Sequence, residues 1–308
     1  YLNHKFFPPT IPPRGQGKMP FQPIPFNQHR LKMASAVLNG MVVTNLRPSI
    51  HKFGMWDELV CGKEEKRGWL GEAAGPMVRL ARNARPLLGK DWNKPSDMMD
   101  HLQGEDVRFT RDDDAVRVES KGQDDLRFTL RDIPLDGPDL TLFATVRAAE
   151  REGFPEEHAR VLFASVGAEG LPNPGRRRLH MEDDNREFAF VDTSDFTAVF
   201  QFTDLEGETA DVEFSLESDE PMWLEDIKAY AAPDAMYREF ENGVVVANPG
   251  THPYTFDLAE LLPGRFYRRI EGTAMQDPET NNGRPVGDTV TLPAKDALFL
   301  VREGRSAQ

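Results

Sequence analysis

Three neighbouring residues, Trp56, Asp57 and Glu58, combine side chains that can do chemistry on a sugar. An indole can stack on the face of a sugar ring, and carboxylates can accept hydrogen bonds from hydroxyls or act as general acid and base. The three residues follow an apolar β-branched run, in the kind of segment that connects a strand to a helix. Trp56 is therefore a candidate substrate-binding residue, and Asp57 and Glu58 are candidates for a catalytic role. The alternative is structural, because adjacent carboxylates usually point apart and can cap a helix or pair with Arg.

Aromatic residues in the second half of the chain are further candidates for ligand binding. Trp223 and Tyr230 lie in the run MWLEDIKAY, and Phe196 begins the run FTAVFQFT. On an exposed face such side chains can stack on glycan. We predict Trp223 and Tyr230 as substrate-binding residues. The alternative at each position is core packing, which is the commoner place for an aromatic side chain in an alternating strand.

The histidines and acidic runs do not have the spacing of a metal site. His4, His29 and His51 lack the i,i+4 or His-x-His arrangement of metal ligands. Residues 112–114 and 182–184 place carboxylates consecutively, whereas a calcium loop alternates its ligands around a turn glycine. We predict no cofactor and no metal, and leave a structural calcium open.

Several enzyme classes have no support in the sequence. The chain contains no G-x-G-x-x-G, no G-x-x-x-x-G-K-[ST] and no G-x-S-x-G. Its single cysteine, Cys61, permits no internal disulfide and has no evident base partner. Dinucleotide-binding, P-loop and serine-hydrolase mechanisms are therefore not expected.

The charge balance disfavours two classes of partner. The chain has 37 Lys and Arg residues against 51 Asp and Glu residues, for a formal net charge of −14. Neutralising the phosphates of a nucleic acid needs a basic face, and so does docking on an anionic membrane. No apolar run approaches the roughly 18 residues of a membrane-spanning helix. We predict no nucleic-acid partner and no membrane insertion.

The N-terminal part of the chain has the pattern of an α/β structure. Residues 27–40 repeat apolar positions at helical spacing, between a capping Asn27 and a terminating Gly40. The β-branched run MVVT (41–44) follows and predicts a buried strand. A second helix is predicted over Met77–Leu88.

Beyond Leu102 the pattern is that of β-structure. Nine runs alternate apolar and polar residues or are rich in β-branched and aromatic ones: 106–110, 114–119, 125–131, 139–147, 160–166, 187–192, 196–203, 210–216 and 222–230. Their spacing, with turn residues between them, predicts an antiparallel sandwich over 103–232.

The last part of the chain predicts a separate small β module, residues 233–308. Asn242-Gly243 between two apolar runs is a strong hairpin signal. Four more runs complete a predicted five- or six-stranded sheet: 252–258, 266–272, 288–293 and 296–303.

The order of these blocks resembles a known family. The stretches HRLKMASAVLNGMVVTN and MWDELVCGKEEKRGWLGEAAGP resemble the last helix, strand and closing loop of bacterial (β/α)8-barrel glycoside hydrolases. The stretches REFENGVVVANPG, FYRRIEG and NNGRPVGDTVTLPAKDALFLVRE resemble the small all-β module that ends many of these enzymes. Residues 103–232 are similar to a jelly-roll carbohydrate-binding module. The resemblance implies a mainly β chain with an α/β N-terminal part, in which 1–102 form the end of a barrel.

The resemblance also implies a function. The chain would be the C-terminal fragment of a polysaccharide-acting glycoside hydrolase, whose catalytic carboxylate pair lies upstream of Tyr1, although Asp57 or Glu58 could itself be catalytic. An alternative from another class is a non-catalytic carbohydrate-binding or cell-surface β-sandwich protein, and a third is a structural sandwich that connects domains. The expected partner is a polysaccharide or oligosaccharide. We favour a secreted or periplasmic location over a cytoplasmic one, and leave the oligomeric state open.

We expect the 308-residue chain to have no glycosidase activity. Hydrolysis needs two carboxylates that flank the glycosidic bond, and the resemblance implies that this pair lies upstream of Tyr1. The release of a chromophore from a panel of aryl glycosides measures this directly. Robust turnover that Asp57→Asn or Glu58→Gln abolishes would contradict the expectation.

Overall fold

The computed structural model describes the following residues: 25–41, 56–59, 70–89, 92, 94–122, 125–150, 160–166, 186–216, 218–274 and 276–303. They belong to two compact units. The sandwich unit runs from Ala81 to Pro233. The terminal unit combines the described residues before Ala81 with those from Asp234 onward. The predicted segment 1–102 is thus divided between the two units.

The sandwich unit contains two five-stranded antiparallel sheets, with strands numbered along the chain. The front sheet has, in spatial order, β3 (Val107–Asp112), β4 (Ala115–Ser120), β11 (Met222–Tyr230), β6 (Leu140–Ala148) and β9 (Phe196–Phe202). The back sheet has β2 (Leu102–Gln103), β5 (Leu126–Pro134), β10 (Thr209–Leu216), β7 (Arg160–Val166) and β8 (Arg186–Val191). A short helix, α2 (Pro95–His101), precedes β2. The predicted β-sandwich is confirmed, and all nine predicted runs are strands.

The inward faces of the two sheets share one apolar core. Phe214 of β10 stacks on Phe128 of β5 at 5.3 Å between ring centroids, and it meets the edge of Phe200 of β9 at 5.9 Å. Each of these rings is almost fully buried. Burying a side chain of this size contributes about 1.5–3 kcal/mol, so the alternating pattern of the strands is also their main source of stability.

The terminal unit is built on a six-stranded antiparallel sheet, which includes Val78–Arg79 from outside the predicted module 233–308. Its spatial order is β1 (Val78–Arg79), β12 (Met236–Phe240), β13 (Gly243–Asn248), β18 (Asp296–Arg302), β15 (Tyr267–Arg269) and β16 (Pro285–Val286). A two-stranded sheet of β14 (Tyr254–Asp257) and β17 (Thr289–Leu292) accompanies it, with the helices α1 (Phe26–Leu38) and α3 (Leu258–Leu261).

Both faces of the six-stranded sheet are covered. On one face Val246 of β13 and Leu298 of β18 share an apolar cluster with Phe256 of β14. Strand residues alternate between faces, so the neighbours Val245 and Phe299 point the other way, and they too are buried. Helix α1 contacts β18 and β13. The sheet is therefore a packed middle layer, which explains why β13 and β18 are apolar along almost their whole length.

Helix α1 begins earlier than predicted. Its N-cap is Pro25 and not Asn27, whose side chain instead donates to the carbonyl of Lys295 at 3.3 Å. Proline suits a helix start because its φ is fixed and its missing N–H needs no partner there. The helix ends at Leu38, and Gly40 follows with φ +71°, as the sequence predicted. The predicted strand 41–44 lies outside the described residues except for Met41, which is not in a strand.

The predicted helix over Met77–Leu88 is wrong. Val78–Arg79 form strand β1, and Leu80–Asn83 form a 3₁₀ turn. Val78 pairs with Tyr237 and Arg79 with Met236, and the amide of Leu80 donates to Ala235. Pairing with a distant strand overrides the local helical spacing in this segment.

The described residues do not contain a (β/α)8 barrel. Helix α1 lies against an antiparallel sheet, and every strand pair between named strands in the terminal unit is antiparallel. A (β/α)8 barrel needs parallel strands joined by helices. The mainly β character of the fold is as expected, but its predicted barrel part is not found in the described ranges. In these ranges no helix is both long enough and apolar enough to cross a membrane.

The β12–β13 hairpin places a glycine where a side chain would collide. Phe240 pairs with Gly243, so the turn residues are Glu241 and Asn242, one position before the predicted pair. A Cβ on Gly243 would meet the carbonyl oxygen of Leu300 on β18 and the side chain of Leu70. Glycine is therefore required for the close approach of β13 and β18.

We expect Gly243→Ala to lower the free energy of unfolding by at least about 1–3 kcal/mol, the usual cost of overpacking. The matched control is Gly287→Ala, because a Cβ on Gly287 has nothing within 4 Å. Urea unfolding followed by circular dichroism compares the two variants. Equal stabilities would contradict the close approach of the two strands.

Candidate functional site

The candidate residues predicted from the sequence fall in two places, one in each unit. Trp223 and Tyr230 lie on β11 of the sandwich unit. Trp56, Asp57 and Glu58 lie at the 3₁₀ turn Asp57–Leu59 of the terminal unit.

Trp223 occupies the outward face of the front sheet. Its neighbours in the strand, Met222 and Leu224, point into the core, so the indole points outward and is partly exposed. Its direct cross-strand partners are Arg117 on β4 and Arg147 on β6. The register of three strands thus brings one indole and two guanidinium groups together.

The indole of Trp223 has a defined orientation. Its Nε1–H donates to Oδ2 of Asp112 at 2.7 Å. The guanidinium carbon of Arg147 lies 4.2 Å from the ring centroid, and that of Arg117 lies 5.8 Å from it. A cation over an indole is attracted by the negative face of the ring. The side chain is therefore held in place on a rigid sheet before any ligand arrives.

Polar groups of both charges share the outward face of the front sheet with this indole, and we call the whole the Trp223 surface. Its ion pairs join Arg117 to Glu119 at 3.0 Å, Arg147 to Asp195 at 3.4 Å and to Glu225 at 3.8 Å, and Lys228 to Asp226 at 2.6 Å. The hydroxyls of Thr145 and Thr197 lie 3.1 Å apart. Such a surface offers several donors and acceptors beside one aromatic ring, which is what a polyhydroxylated ligand needs.

One carboxyl of the Trp223 surface, that of Glu225, has a raised pKa. Burial is the largest cause that raises the pKa of Glu225. The hydrogen bond with Asp195 and the negative charge of Asp195 raise it further. The attraction of Arg147 acts in the opposite direction. Glu225 lies at a register shift of β11 between Leu224 and Asp226, which turns its side chain toward Asp195.

Tyr230 and Phe196 do not join Trp223. Tyr230 is 8% exposed and meets the ring of Phe143 edge-on at 5.6 Å, in a small cluster with Ala81. Phe196 packs against the main core of the sandwich. Ligand contact by Tyr230 stays a prediction, and its surroundings are those of a packing residue.

The back sheet carries surface features that the sequence analysis missed. On its outward face Phe163, Phe188 and Phe190 form a row of rings, with centroid separations of 6.0 and 5.7 Å. A cleft of about 1380 Å³ is also lined by residues of this sheet, among them Thr129, Ser165 and Glu213. Residues 161–165 and 186–190 alternate with the two-residue period of a strand, so that alternate residues in each run share a face. This alternation was the sequence signal for the row of rings.

In the terminal unit Arg30 is the centre of a buried polar cluster, which we call the Arg30 cluster. Its guanidinium donates to both oxygens of Asp296 at 2.9 Å, to Asp277 at 2.6 Å and to the carbonyl of Ala297 at 2.9 Å. These contacts join α1 to β18 and to the loop between β15 and β16. Arg30 is 2% exposed, so it brings a charge into the interior and is compensated there.

The two carboxylate partners of Arg30 differ in burial, and their pKa values move in opposite directions. Asp296 is the more buried, and desolvation raises its pKa against the attraction of Arg30. At Asp277 desolvation acts the same way, but the hydrogen bonds from Arg30 and Thr280 outweigh it and lower the pKa. Hydrogen bonding thus outweighs burial at the more exposed Asp277, and burial outweighs the attraction of Arg30 at Asp296.

Asp57 is tied to the same loop. Its Oδ2 accepts from the amide of Thr273 at 2.7 Å and from the hydroxyl of Thr273 at 3.2 Å, and its own amide donates to Gln276 at 3.0 Å. Gly272 makes this approach possible, since a Cβ there would lie 2.9 Å from Oδ2 of Asp57 and 2.7 Å from Cβ of Asn281. Asp57 therefore fastens the 3₁₀ turn to the loop.

Glu58 and Trp56 complete the surroundings of this turn. Oε1 of Glu58 accepts from Nδ2 of Asn281 at 2.8 Å, and both residues are 2% exposed. The ring of Trp56 lies 4.5 Å from that of His29 and 6.3 Å from that of Phe26, both on α1. Trp56 is 5% exposed, so its indole packs against the helix.

The Arg30 cluster is not arranged as a metal centre. Throughout the described part of the chain, no three His, Cys, Asp or Glu side chains are grouped so that they could hold a metal ion. The loop residues Thr273, Gln276, Asp277 and Asn281 were not singled out from the sequence, because their partners lie more than 200 positions away in the chain.

Comparison with known proteins gives structural similarities only. No protein-family model and no curated protein matches the chain. One similar solved structure is the C-terminal carbohydrate-binding module of a marine laminarinase from Zobellia galactanivorans, with 8% identity and a TM-score of 0.29 over 43% of this chain and 94% of that one. Another is a carbohydrate-binding module of the Cellvibrio mixtus lichenase 5A in complex with cellotriose, with 12% identity and a TM-score of 0.26 over 44% and 94%.

A third similar structure is a family 29 carbohydrate-binding module from Piromyces equi, with 11% identity and a TM-score of 0.27 over 48% of this chain and 85% of that one. At TM-scores this low, the similarities carry no argument about the ligand of this chain. The site must therefore be argued from its own geometry.

We expect Arg30→Gln to lower the protection of β13 and β18 amides against hydrogen exchange, because it leaves the buried Asp296 without its cation. Breaking a buried pair in this way typically costs about 3–5 kcal/mol. The control is Arg265→Gln in the same unit, whose pair with Glu239 is half-exposed and should cost about 0–1 kcal/mol. Mass-spectrometric hydrogen exchange resolves the strands separately. Equal protection in both variants would show that the Arg30 cluster contributes little to stability.

Proposed function

We propose that the chain is a carbohydrate-binding protein whose sandwich unit binds a polysaccharide or oligosaccharide at the Trp223 surface. One observation carries the proposal: the Trp223 indole stands partly exposed on a rigid sheet, oriented by Asp112 and Arg147 and surrounded by hydrogen-bonding side chains. An aromatic ring supplies an apolar contact for the CH face of a sugar, and the polar groups around it supply partners for the hydroxyls.

The ion pairs of the Trp223 surface favour a neutral glycan over a polyanion. Each of its cations, Arg117, Arg147 and Lys228, already has a carboxylate partner. A polyanionic sugar would have to displace those carboxylates and would meet their charge. Hydroxyls can instead bridge between paired groups, because donors and acceptors lie side by side.

The non-catalytic interpretation accounts for the geometry better than the hydrolase interpretation. Catalysis at a glycosidic bond requires carboxylates that reach the substrate. Asp57 and Glu58 are each 2% exposed and are directed toward the loop residues Thr273 and Asn281. Their role in catalysis, the contact of Trp56 with substrate and a secreted or periplasmic location stay predictions.

We expect Trp223→Ala to weaken binding of a neutral soluble polysaccharide at least about tenfold, which corresponds to a loss of about 1.4 kcal/mol. Affinity electrophoresis against xylan, mixed-linkage β-glucan and laminarin, with polygalacturonate as the anionic comparison, first identifies the binding partner. Isothermal titration with an oligosaccharide of that polymer then measures the change in affinity.

The matched control is Phe190→Ala on the outward face of the back sheet, where Phe190 is 37% exposed. This variant should bind as the unaltered protein does. Loss of binding in Phe190→Ala with full binding in Trp223→Ala would move the site to the row of phenylalanines on the back sheet. If the unaltered protein binds none of the polymers, the proposal of carbohydrate binding at the Trp223 surface is refuted.

A further inference from the structure

The side chains of Glu58 and Asn281 face each other and share one hydrogen bond, which leaves one oxygen of each without a partner. Nδ2 of Asn281 donates to Oε1 of Glu58 at 2.8 Å. In the described part of the chain, Oε2 of Glu58 and Oδ1 of Asn281 are buried and have no hydrogen-bond partner. One carboxyl oxygen and one amide oxygen are thus left as acceptors without a donor.

Two unsatisfied buried acceptors cannot be a low-energy arrangement, because each costs the desolvation of a polar atom. A carboxylate and an amide can form one hydrogen bond through the amide N–H. A carboxylic acid and an amide can form two, since the acid O–H can also donate to the amide oxygen. A proton on Oε2 of Glu58 therefore gives both of these oxygens a hydrogen-bond partner.

The charges around Glu58 also disfavour its ionised form. Arg30 of α1 attracts it, but the same guanidinium is already bonded to Asp296 of β18 and Asp277 of the loop. Asp57 lies next to Glu58 in the same turn and repels it. Arg269 of β15 is the second cation of the cluster. An ionised Glu58 would be a fourth carboxylate against two guanidinium groups.

Burial acts in the same direction. Desolvation is the largest influence on Glu58 and raises its pKa. The hydrogen bond from Asn281, the charge of Arg30 and the backbone amide of Glu58 itself lower it, and the net direction is upward. The geometry of the Glu58–Asn281 pair, the balance of charge and burial thus all favour the protonated form of Glu58.

We propose that Glu58 is a carboxylic acid at neutral pH, doubly hydrogen-bonded to Asn281, and that this pair is a pH-sensitive latch between the 3₁₀ turn Asp57–Leu59 and the loop 270–283. The latch lies in the terminal unit and does not depend on the carbohydrate-binding proposal. When Glu58 ionises, the pair loses the acid O–H donor and keeps a buried anion beside Asp57. The turn and the loop then separate more easily.

The direction of the pH effect follows from linkage. The closed latch binds its proton more tightly than the open one, so opening releases a proton between the ordinary carboxyl pKa and the raised pKa of Glu58. In that window the opening equilibrium grows about tenfold per pH unit. The stabilisation is complete below the ordinary carboxyl range and is lost as the pH rises through the raised value.

The test is hydrogen exchange of peptides covering 56–59 and 270–283 in the full chain, from pH 5 to pH 9, corrected for intrinsic exchange. We expect protection in the unaltered protein to fall by at least about tenfold over this range. Glu58→Gln should hold its protection constant within about twofold, because a neutral amide keeps both hydrogen bonds of the acid form. Glu225→Gln, which removes the carboxyl of raised pKa in the sandwich unit, should follow the unaltered protein.

A second measurement does not depend on how the variants fold. Carbon-13 NMR of the unaltered protein, labelled at glutamate carboxyls, should show a resonance that remains in the acid form at neutral pH and that is still present in Glu225→Gln. Absence of such a resonance at neutral pH would overturn the proposal. Parallel pH profiles of the unaltered protein and Glu58→Gln would do the same, since they would show that Glu58 is not the titrating group.

Discussion

The two-residue period of antiparallel strands decides which side chains of this chain are available to a ligand. Neighbouring residues of a strand point to opposite faces, so the burial of Met222 and Leu224 fixes Trp223 outward. The same constraint sets Arg117 and Arg147 on either side of the indole, because each is its direct cross-strand partner. The Trp223 surface thus follows from the register of the front sheet, and the sandwich core holds that register.

The outward face alone does not make a residue accessible. Tyr230 lies on β11 like Trp223 and points away from the core, yet residues around Ala81 pack over it. Trp223 has charged cross-strand neighbours, whereas Tyr230 lies opposite Thr141 and its ring meets that of Phe143. Whether an aromatic residue belongs to a surface or a cluster therefore depends on what the chain folds over it. Alternation within one strand does not contain this information.

Most of the strands could be predicted from the sequence, because the alternation that marks a strand is local. All nine predicted runs of the sandwich are strands, and the β12–β13 hairpin differs by one residue at its turn. The failures are the elements that distant pairing decides: Val78–Arg79 pairs with β12 in place of a helix, and the expected barrel end is a helix on an antiparallel sheet. The site shows the same division. Trp56, Asp57 and Glu58 can be selected from the sequence because they are adjacent, but the loop that gives Asp57 and Glu58 their partners lies more than 200 positions away.

Asp57 and Glu58 show how that distant loop gives different environments to adjacent carboxyls. Thr273 offers Asp57 two donors, an amide and a hydroxyl, so the negative charge of an aspartate is well matched there. Asn281 offers Glu58 one donor and an acceptor, which is the complement of an acid and not of an anion. Arg30 cannot correct the mismatch, because its guanidinium is committed to Asp277 and Asp296. The acceptor that the loop presents to Glu58 thus acts together with burial to favour the acid form that we propose for this residue.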